Sequence, residues 1–272
     1  MIIADSRSSG YWLSMQPTDI SAASSTAASD SFTAVSLNIH KGLSPLNRRV
    51  IVHDIRHALH ALGPELVFLQ EVQDAHDRHA ARFADWPVEA QSRYLAGALW
   101  PEVHYGRNAI YADGHHGNAI LSRYTVESVD NDDMSMHGFE SRGLLHAVVR
   151  IGPAPVHCLC VHLGLTQRGR TRQVEFILDT LGSRSLAGEP VIIAGDFNDW
   201  RGRVHAAFAT LGLHDAFVAA GSRAPRTFPA RMPVLRLDRI YVRGLQVKEA
   251  RVLHHLHRMS DHIGLAATLA LP

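Results

Sequence analysis

Short apolar runs and amphipathic patterns alternate along the chain from about Phe32 to its end. Continuous or alternating apolar runs are typical of strands, whereas apolar residues three and four positions apart are typical of helices. The predicted strands are Phe32–Ile39, Leu66–Leu69, Ala119–Leu121, Leu144–Ile151, Val156–Val161, Val191–Ala194, Arg239–Val242 and Ile263–Leu271. Helices are predicted from Ile51, Ile55, Leu59 and Leu62, which end at Gly63-Pro64, from residues 75–83, and from Val174, Ile177, Leu178 and Leu181.

Two neighbouring predicted strands indicate the type of sheet. The strands 144–151 and 156–161 are separated by a short segment that contains Gly152-Pro153, which favours a β-hairpin. A hairpin pairs antiparallel strands, so the sheets should be mixed rather than purely parallel. Two such sheets packed face to face, with helices outside, would bury all the predicted elements. No internal repeat or long polar linker interrupts residues 32–272, so we predict one α/β domain there.

The first 31 residues have a different composition from the rest. They are rich in Ser, Ala and Thr and show no sustained apolar period, so we expect a disordered or loosely packed low-complexity arm. Neither this arm nor the remaining chain contains an apolar stretch of the length that a signal peptide or a membrane span requires. We therefore expect a cytoplasmic protein without a transmembrane segment.

The charge balance restricts the possible partners. Lys and Arg number 27 and Asp and Glu 26, which gives a formal net charge of +1, and the basic residues are scattered along the chain. A non-specific binder of long DNA is therefore not indicated, and no protein partner is indicated either. Cys158 and Cys160 lie two positions apart in a predicted strand, where disulfide geometry is poor, and we expect reduced core thiols.

Polar residues that can bind a metal or move a proton repeatedly stand at the ends of predicted strands. One such residue alone is more often a cap or a turn residue than a catalytic one. The repetition in one chain favours a functional site. These residues are Asn38, His40, Glu71, His162, Asp196, Asn198, Asp238 and the pair Asp261-His262.

The residue types in this set are suited to the hydrolysis of phosphate esters. Mg²⁺ prefers hard oxygen ligands, and Glu71, Asn38 and Asp261 can supply them, with Mn²⁺ as a possible substitute. Asp196 and Asn198 could hold an attacking water in line with the leaving group. His262 could transfer a proton or stabilise charge, with Asp238 as the carboxylate that sets its pKa.

The motifs that contain these residues resemble, in type and order, those of the endonuclease/exonuclease/phosphatase superfamily, which has the DNase I-like fold. The resemblance covers the chain from about Phe32 to its end, and residues 117–200 are especially similar to a bacterial subgroup. The motifs are Ser36-Leu37-Asn38-Ile39, Leu69-Gln70-Glu71-Val72, His162-Leu163, Gly195-Asp196-Phe197-Asn198, Leu237-Asp238-Arg239-Ile240 and Ser260-Asp261-His262.

This resemblance implies a four-layer α/β sandwich of two mixed β-sheets flanked by helices. It also implies that Glu71 is the principal metal ligand, with Asn38 and Asp261 nearby. The remaining implied roles are water activation by Asp196 and Asn198, phosphate contact by His162, and orientation of His262 by Asp238. Arg142 follows a turn at a family position near the site, and no tyrosine precedes it where some nucleases of the superfamily carry one. Because this tyrosine is missing, the resemblance does not extend to the DNA-repair activities of those nucleases.

Two further residues are candidates for substrate binding, and several histidines are not. His116 and Asn118 precede the strand at Ala119 and could line a substrate cleft. The pairs His115-His116 and His254-His255, with His257, lack the spacing of a zinc site and favour solvated loops.

The leading hypothesis is a metal-dependent phosphodiesterase that acts on nucleic acid or phospholipid. A phosphomonoesterase of small phosphorylated molecules and a catalytically silent binding module are the alternatives. The fold alone does not decide between them, because specificity depends on loops.

Overall fold

The structure, a computed structural model, describes residues 31–135, 140–185 and 188–272. The predicted N-terminal arm therefore lies outside the described residues, apart from Ser31. Within them the chain forms twelve strands: β1 (Ser31–Asn38), β2 (Leu66–His76), β3 (Glu102–Tyr111), β4 (Gly114–Ser122), β5 (Val126–Asp133), β6 (Gly143–Ile151), β7 (Ala154–His162), β8 (Val191–Asp196), β9 (His214–Asp215), β10 (Asp238–Arg243), β11 (Gln246–Leu253) and β12 (Gly264–Ala270).

The strands form two mixed sheets of six strands each. The first has the order β11-β12-β1-β2-β4-β3, and the second has the order β5-β6-β7-β8-β10-β9. The pairs β1–β2 and β7–β8 are parallel, and the other pairs are antiparallel. The predicted hairpin is the antiparallel pair β6–β7. The prediction of two mixed sheets is therefore confirmed.

Six α-helices accompany the sheets in the described part of the chain. The first, which the sequence predicts, ends at Gly63, whose φ of 60° is left-handed and whose N–H donates to the Leu59 carbonyl at 2.9 Å. The predicted helix over 75–83 is shorter, because β2 continues to His76. The helices are α1 (Val52–Leu62), α2 (Asp77–Arg82), α3 (Gln91–Ala96), α4 (Gln167–Arg184), α5 (Val204–Ala209) and α6 (Ala216–Ala219).

Three buried apolar clusters account for the layers. In the central cluster, Phe68 of the first sheet packs with Leu145 and Ile192 of the second. A second cluster joins the outer face of the first sheet to α1, and a third joins the outer face of the second sheet to α4. The order is therefore helix, sheet, sheet, helix, as in the predicted sandwich. Cys158 and Cys160 are free and buried in the central cluster, as predicted.

The strand register brings the predicted site residues to one edge of the molecule. Asn38 lies beside Gln70 where the parallel strands β1 and β2 run together. In the second sheet, Asp196 pairs in register with His162 on one side and with Asp238 on the other. No helix in the described part of the chain is long and apolar enough to span a membrane.

Candidate active site

A cleft of about 540 Å³ opens at this edge of the two sheets. Its walls contain seven of the eleven residues that the sequence assigns to the site. The described residues that line it are Lys41, Glu71, His116, Arg142, His162, Leu165, Asp196, Asn198, Trp200, Phe228, Leu235, Leu237 and His262.

Glu71 enters the cleft because the backbone of β2 is irregular at this point. Its φ is 56°, in the left-handed region, and the pairing of β2 with β4 shifts register between Leu69 and Val72. A β-bulge of this kind redirects a side chain at a sheet edge. Glu71 therefore lies within β2 and does not begin a helix, and its Oε2 is 3.8 Å from Nζ of Lys41.

Asn38 joins the two sheets beneath the cleft. Its side chain is buried, and Nδ2 lies 3.3 Å from Oε1 of Glu71 and 3.3 Å from Oδ2 of Asp196. Its Oδ1 accepts from the backbone N–H of His40 at 3.0 Å. One amide therefore holds together two carboxylates that come from different sheets.

Asp196 is the centre of the site. Its Oδ2 lies 3.5 Å from Nε2 of His162 and 3.7 Å from Nε2 of His262, and its Oδ1 accepts from the backbone N–H of Asn198 at 2.9 Å. Burial raises the pKa of Asp196 above its ordinary range, although the charge of His262 acts in the opposite direction. A carboxylate with a raised pKa is a better proton acceptor than an exposed one.

His262 and Asp238 form a buried pair. Nδ1 of His262 is 2.9 Å from Oδ2 of Asp238, and both side chains are nearly inaccessible to solvent. Burial lowers the pKa of His262, but Asp238 and Asp196 outweigh it and raise the pKa well above its ordinary value. His262 is therefore an imidazolium whose Nε2 faces Asp196. Its ring also contacts Phe228, with the centroids 4.9 Å apart.

The two other histidines of the cleft are in the opposite state. Burial lowers the pKa of His162 well below its ordinary value, and Arg142 and His262 act in the same direction. Burial also lowers the pKa of His116 to about 4. Both rings are therefore neutral at pH 7, so they can exchange hydrogen bonds with a substrate without adding charge. The cations in the walls of the cleft, among the described residues, are Lys41, Arg142 and the His262 imidazolium.

Ser260 and Asp261 make polar contacts at the edge of the site, with Asn38, His40 and His262. Oγ of Ser260 donates to the carbonyl of Asn38 at 2.6 Å and accepts from the N–H of His262 at 3.2 Å. Oδ2 of Asp261 is 3.2 Å from Nδ1 of His40, which raises the pKa of His40. Asp261 lines a neighbouring cavity together with Ser260.

Asn118 is not in the walls of the cleft. It is buried within β4, and its Nδ2 donates to the carbonyls of Gly143 at 3.1 Å and Cys160 at 3.2 Å. Its amide nitrogen therefore links the first sheet to β6 and β7. The residues His115-His116 also belong to β4 instead of the expected loop, whereas His254 and His255 are exposed.

Several residues of the site received no role from the sequence, and of these only His40 stood among the polar residues at strand ends. His40 and Lys41 are paired with Asp261 and Glu71, and Trp200 and Phe228 form part of the walls. A usable signal existed for Lys41, because it is one of only two lysines and follows Asn38 by three positions. No comparable pattern marks Trp200 or Phe228.

Three comparisons place the chain among known proteins. The family model described as "Endonuclease/Exonuclease/phosphatase family" matches residues 35–262. The chain is 41% identical over 248 residues to the uncharacterized protein YbhP of Escherichia coli strain K12, covering 89% of this chain and 97% of YbhP. YbhP of Shigella flexneri matches with the same identity and coverage.

Solved structures share the fold at lower identity. An endonuclease/exonuclease/phosphatase from Beutenbergia cavernae superposes with a TM-score of 0.70 at 19% identity, covering 89% of this chain and 72% of that one. TDP2 of D. rerio, complexed with a single-strand DNA product, superposes with a TM-score of 0.65 at 20% identity, covering 88% and 98%. Members of the matched family are generally phosphoester hydrolases, and the chain belongs to this endonuclease/exonuclease/phosphatase family.

Proposed function

We propose that the protein is a divalent-metal-dependent phosphodiesterase that uses Asp196 to activate a water and His262 to stabilise the phosphate. The observation that supports this most directly is the arrangement around Asp196. A buried carboxylate with a raised pKa lies between a neutral His162 and a charged His262, which Asp238 holds. Hydrolysis of a phosphate ester requires a base that activates the attacking water and a positive group that stabilises the developing negative charge. Asp196 and His262 would provide these two groups side by side.

The residues present fit a hard divalent cation. The carboxylates of Glu71 and Asp196 face each other across the Asn38 amide. Asp261 pairs with His40, whose backbone N–H donates to Oδ1 of Asn38. Carboxylate and amide oxygens are the ligands that Mg²⁺ and Mn²⁺ accept. We assign the cation to Glu71, Asn38 and Asp261. Turning the Asn38 amide by half a rotation would present its oxygen instead of its nitrogen. When bound, the cation would neutralise charge on the phosphate oxygens.

Asp196, Asp238 and His262 also place ligand atoms within 4.8 Å of one another. We do not assign the cation there. Both ring nitrogens of His262 already face carboxylates, Nδ1 at 2.9 Å from Asp238 and Nε2 at 3.7 Å from Asp196, so the ring is engaged in an ion-pair network.

The remaining residues of the cleft bind and orient the substrate. Arg142, Lys41 and His262 supply the positive charge for a phosphodiester group, and neutral His162 donates a hydrogen bond to a phosphate oxygen. Asn198 holds the Asp196 carboxylate through its backbone N–H, and its Nδ2 donates to the Leu163 carbonyl at 2.9 Å. The geometry of the base is therefore fixed before substrate arrives, which lowers the cost of reaching the transition state. His116 completes the wall.

The test is hydrolysis of bis-p-nitrophenyl phosphate by the purified protein with Mg²⁺ or Mn²⁺. We expect His262→Ala to reduce kcat by about 100-fold or more, because it removes the electrostatic group. The matched control is His255→Ala, an exposed histidine away from the cleft, which should keep wild-type activity. Wild-type protein that cleaves the diester no faster than His262→Ala would overturn the proposal.

The same assay tests the cation. Glu71→Gln keeps the side-chain volume and removes one hard ligand, so half-maximal activity should require about tenfold more Mg²⁺ with an unchanged melting temperature. A metal titration identical to that of the wild type would contradict the ligand assignment. Oligonucleotides belong among the substrates tried, because a similar fold in D. rerio TDP2 holds a single-strand DNA product.

A further inference from the structure

A second cavity adjoins the active-site cleft and has a different character. It measures about 1050 Å³, and three segments surround it: residues 44–51, 229–232 and 257–261. We call it the arginine groove. Its wall includes Ser260 and Asp261, which directly precede His262 in the chain. A ligand in the groove would therefore lie next to the segment that carries His262.

Four arginines line the groove and have no acidic partner. Arg48, Arg49, Arg231 and Arg258 are exposed, and no carboxylate of residues 31–135, 140–185 and 188–272 lies within ion-pair distance of them. By contrast, Arg184 pairs with Asp132, among others. Four free guanidinium groups around one concave surface favour a ligand with negative charge.

Exposed aliphatic side chains accompany these arginines. Leu46 is 76% exposed and Met232 is 71% exposed, each on a different wall of the groove, and Val234 is 49% exposed on the same loop as Met232. Grouped exposed apolar residues beside cations mark an interaction surface more often than isolated ones do.

Both loops that carry these side chains are held by their own hydrogen bonds. The Ser44 N–H donates to the Arg49 carbonyl at 2.9 Å, and Ser44 Oγ accepts from the Arg49 N–H at 3.0 Å. The backbone of the other loop is closed by a bridge between Phe228 and Leu235. The apolar side chains therefore point to solvent from ordered turns, where the fold gives them no partner.

The cleft itself shows a similar combination. Leu165 is 68% exposed and Trp200 is 48% exposed, and both line the cleft. The guanidinium carbon of Arg201 lies 4.3 Å from the ring centroid of Trp200. Exposed apolar side chains and arginines therefore occur both at the arginine groove and at the cleft.

We infer that this face docks on an anionic phospholipid surface and that the substrate of the proposed phosphodiesterase is a phospholipid. Basic residues beside apolar ones bind the charged head groups and the adjoining acyl region of a membrane interface, and tryptophan is favoured there. Single-stranded nucleic acid fits less well. Its bases stack on aromatic side chains, whereas the exposed apolar residues of the groove are Leu46 and Met232.

One loop couples the docking surface to the chemistry. Phe228 packs on the His262 ring on the cleft side, and the neighbouring Pro229, Ala230, Arg231 and Met232 face the arginine groove. The Ala230 N–H donates to the Asp261 carbonyl at 2.7 Å. A lipid head group held by the groove would therefore lie next to the two segments, 228–232 and 260–262, that carry Phe228 and His262 of the cleft.

The test is co-sedimentation of the full chain with vesicles in EDTA, which separates docking from catalysis. Wild-type protein should bind vesicles of phosphatidylcholine and phosphatidylglycerol in a salt-sensitive manner, and pure phosphatidylcholine weakly. The double variant Arg48→Gln/Arg49→Gln should bind about 30-fold more weakly, which is the loss expected from two basic residues at such a surface. Leu46→Ser/Met232→Ser should also weaken binding by about tenfold or more.

Matched controls carry the same changes elsewhere on the surface. Arg93→Gln/Arg251→Gln and Val88→Ser/Ile110→Ser alter exposed residues outside both cavities, so they should bind as the wild type does. Equal binding by groove and control variants, with unchanged melting temperatures, would overturn the inference. Tight wild-type binding of a single-stranded oligonucleotide that is lost in Arg48→Gln/Arg49→Gln, without vesicle binding, would overturn it in favour of nucleic acid. A wild type that docks but does not cleave bis-p-nitrophenyl phosphate would contradict the proposed function, and with it the assignment of a phospholipid substrate, whereas the docking surface would stand.

Discussion

Burial and neighbouring charge set the state of each histidine in this protein, and two histidines close together can be opposite. Asp238, 2.9 Å away, raises the pKa of His262 against the effect of burial. His162 lies 3.5 Å from Asp196, but burial, together with the cations Arg142 and His262, lowers its pKa and keeps the ring neutral. The cleft therefore contains one positively charged histidine, His262, and one neutral histidine that can exchange hydrogen bonds, His162.

His146 provides a test of the same physics away from the site. It is buried, its Nε2 contacts Nδ1 of His157 at 2.9 Å, and its pKa is lowered to about 4 by burial and then by His157 and Arg184, against Asp130 and Asp132. A folded pKa below the unfolded one means that the unfolded chain binds the proton first. This contribution to stability is complete above about pH 6.5 and is lost as the pH falls toward about 4.

We therefore expect wild-type protein to lose roughly 1–2 kcal/mol through His146 between pH 8 and pH 5. The variant His146→Gln should be less stable at pH 8 but should lose less over this range. Urea unfolding of both proteins at the two pH values measures the difference. His255→Gln, which changes an exposed histidine, should keep the wild-type dependence. An equal pH dependence in His146→Gln and the wild type would contradict the assignment.

At the scale of single residues, the sequence signal for the site is the repeated placement of a polar side chain directly after an apolar strand. Glu71 and Asp196 stand out in this way. Asn118 is a candidate in the sequence only because it precedes the predicted strand at Ala119. In the structure β4 begins at Gly114 and includes Asn118, and the polar first half of β4 hides the strand period. The direction of Glu71 also depends on its left-handed φ, which no residue type at that position signals.

At the scale of elements, the buried strands and the two amphipathic helices α1 and α4 could be predicted, whereas the edges of the sheets could not. The strands β3, β5 and β11 lie at or beside sheet edges and carry many polar residues, so they give no apolar run. Such edges are often polar because an apolar edge would pair with other chains.

The pairing of β7 with β8 makes a glycine necessary next to Asp196, the proposed catalytic base. Gly195 has a φ of 151°, and a Cβ there would lie 1.9 Å from the Val161 carbonyl oxygen. Gly195→Ala should therefore destabilise the protein by roughly 3 kcal/mol and displace Asp196. Gly182→Ala is the matched control, because α4 is helical there and a Cβ would meet nothing within 4 Å.

The control should gain roughly 0.5–1 kcal/mol from helix propensity. Thermal unfolding and diester hydrolysis of both variants measure the two effects. A Gly195→Ala protein with the wild-type melting temperature would show that β8 can move away from β7 at that point.

At the scale of the whole molecule, the layer order follows from which faces of the strands are apolar, and this much could be predicted. The meeting of Asn38 with Asp196 could not, because it depends on how one sheet is rotated on the other. Local patterns carry no information on that angle.

The N-terminal arm supplies the prediction at this scale. The low-complexity composition of residues 1–30 predicts that they add little to the core. The first described strand, β1, pairs with β12 from Ser31 and with β2 from Ala34. Deleting residues 1–30 should therefore change the melting temperature by less than about 5 °C, which is roughly 1–2 kcal/mol for a chain of this size. Differential scanning calorimetry of the full chain and the shortened one provides the measurement, and a larger drop would show that the arm stabilises the body.

Asn38 forms hydrogen bonds with Asp196 and Ser260, which lie 158 and 222 positions away from it in the sequence. Contacts between residues so distant in sequence form late, since the entropy of closing long loops opposes them until the sheets have associated. During refolding from urea, secondary structure should therefore return well before hydrolytic activity does. Partly folded forms of the chain would then be inactive toward phosphodiesters, so the catalytic machinery would operate only in molecules whose two halves have already docked.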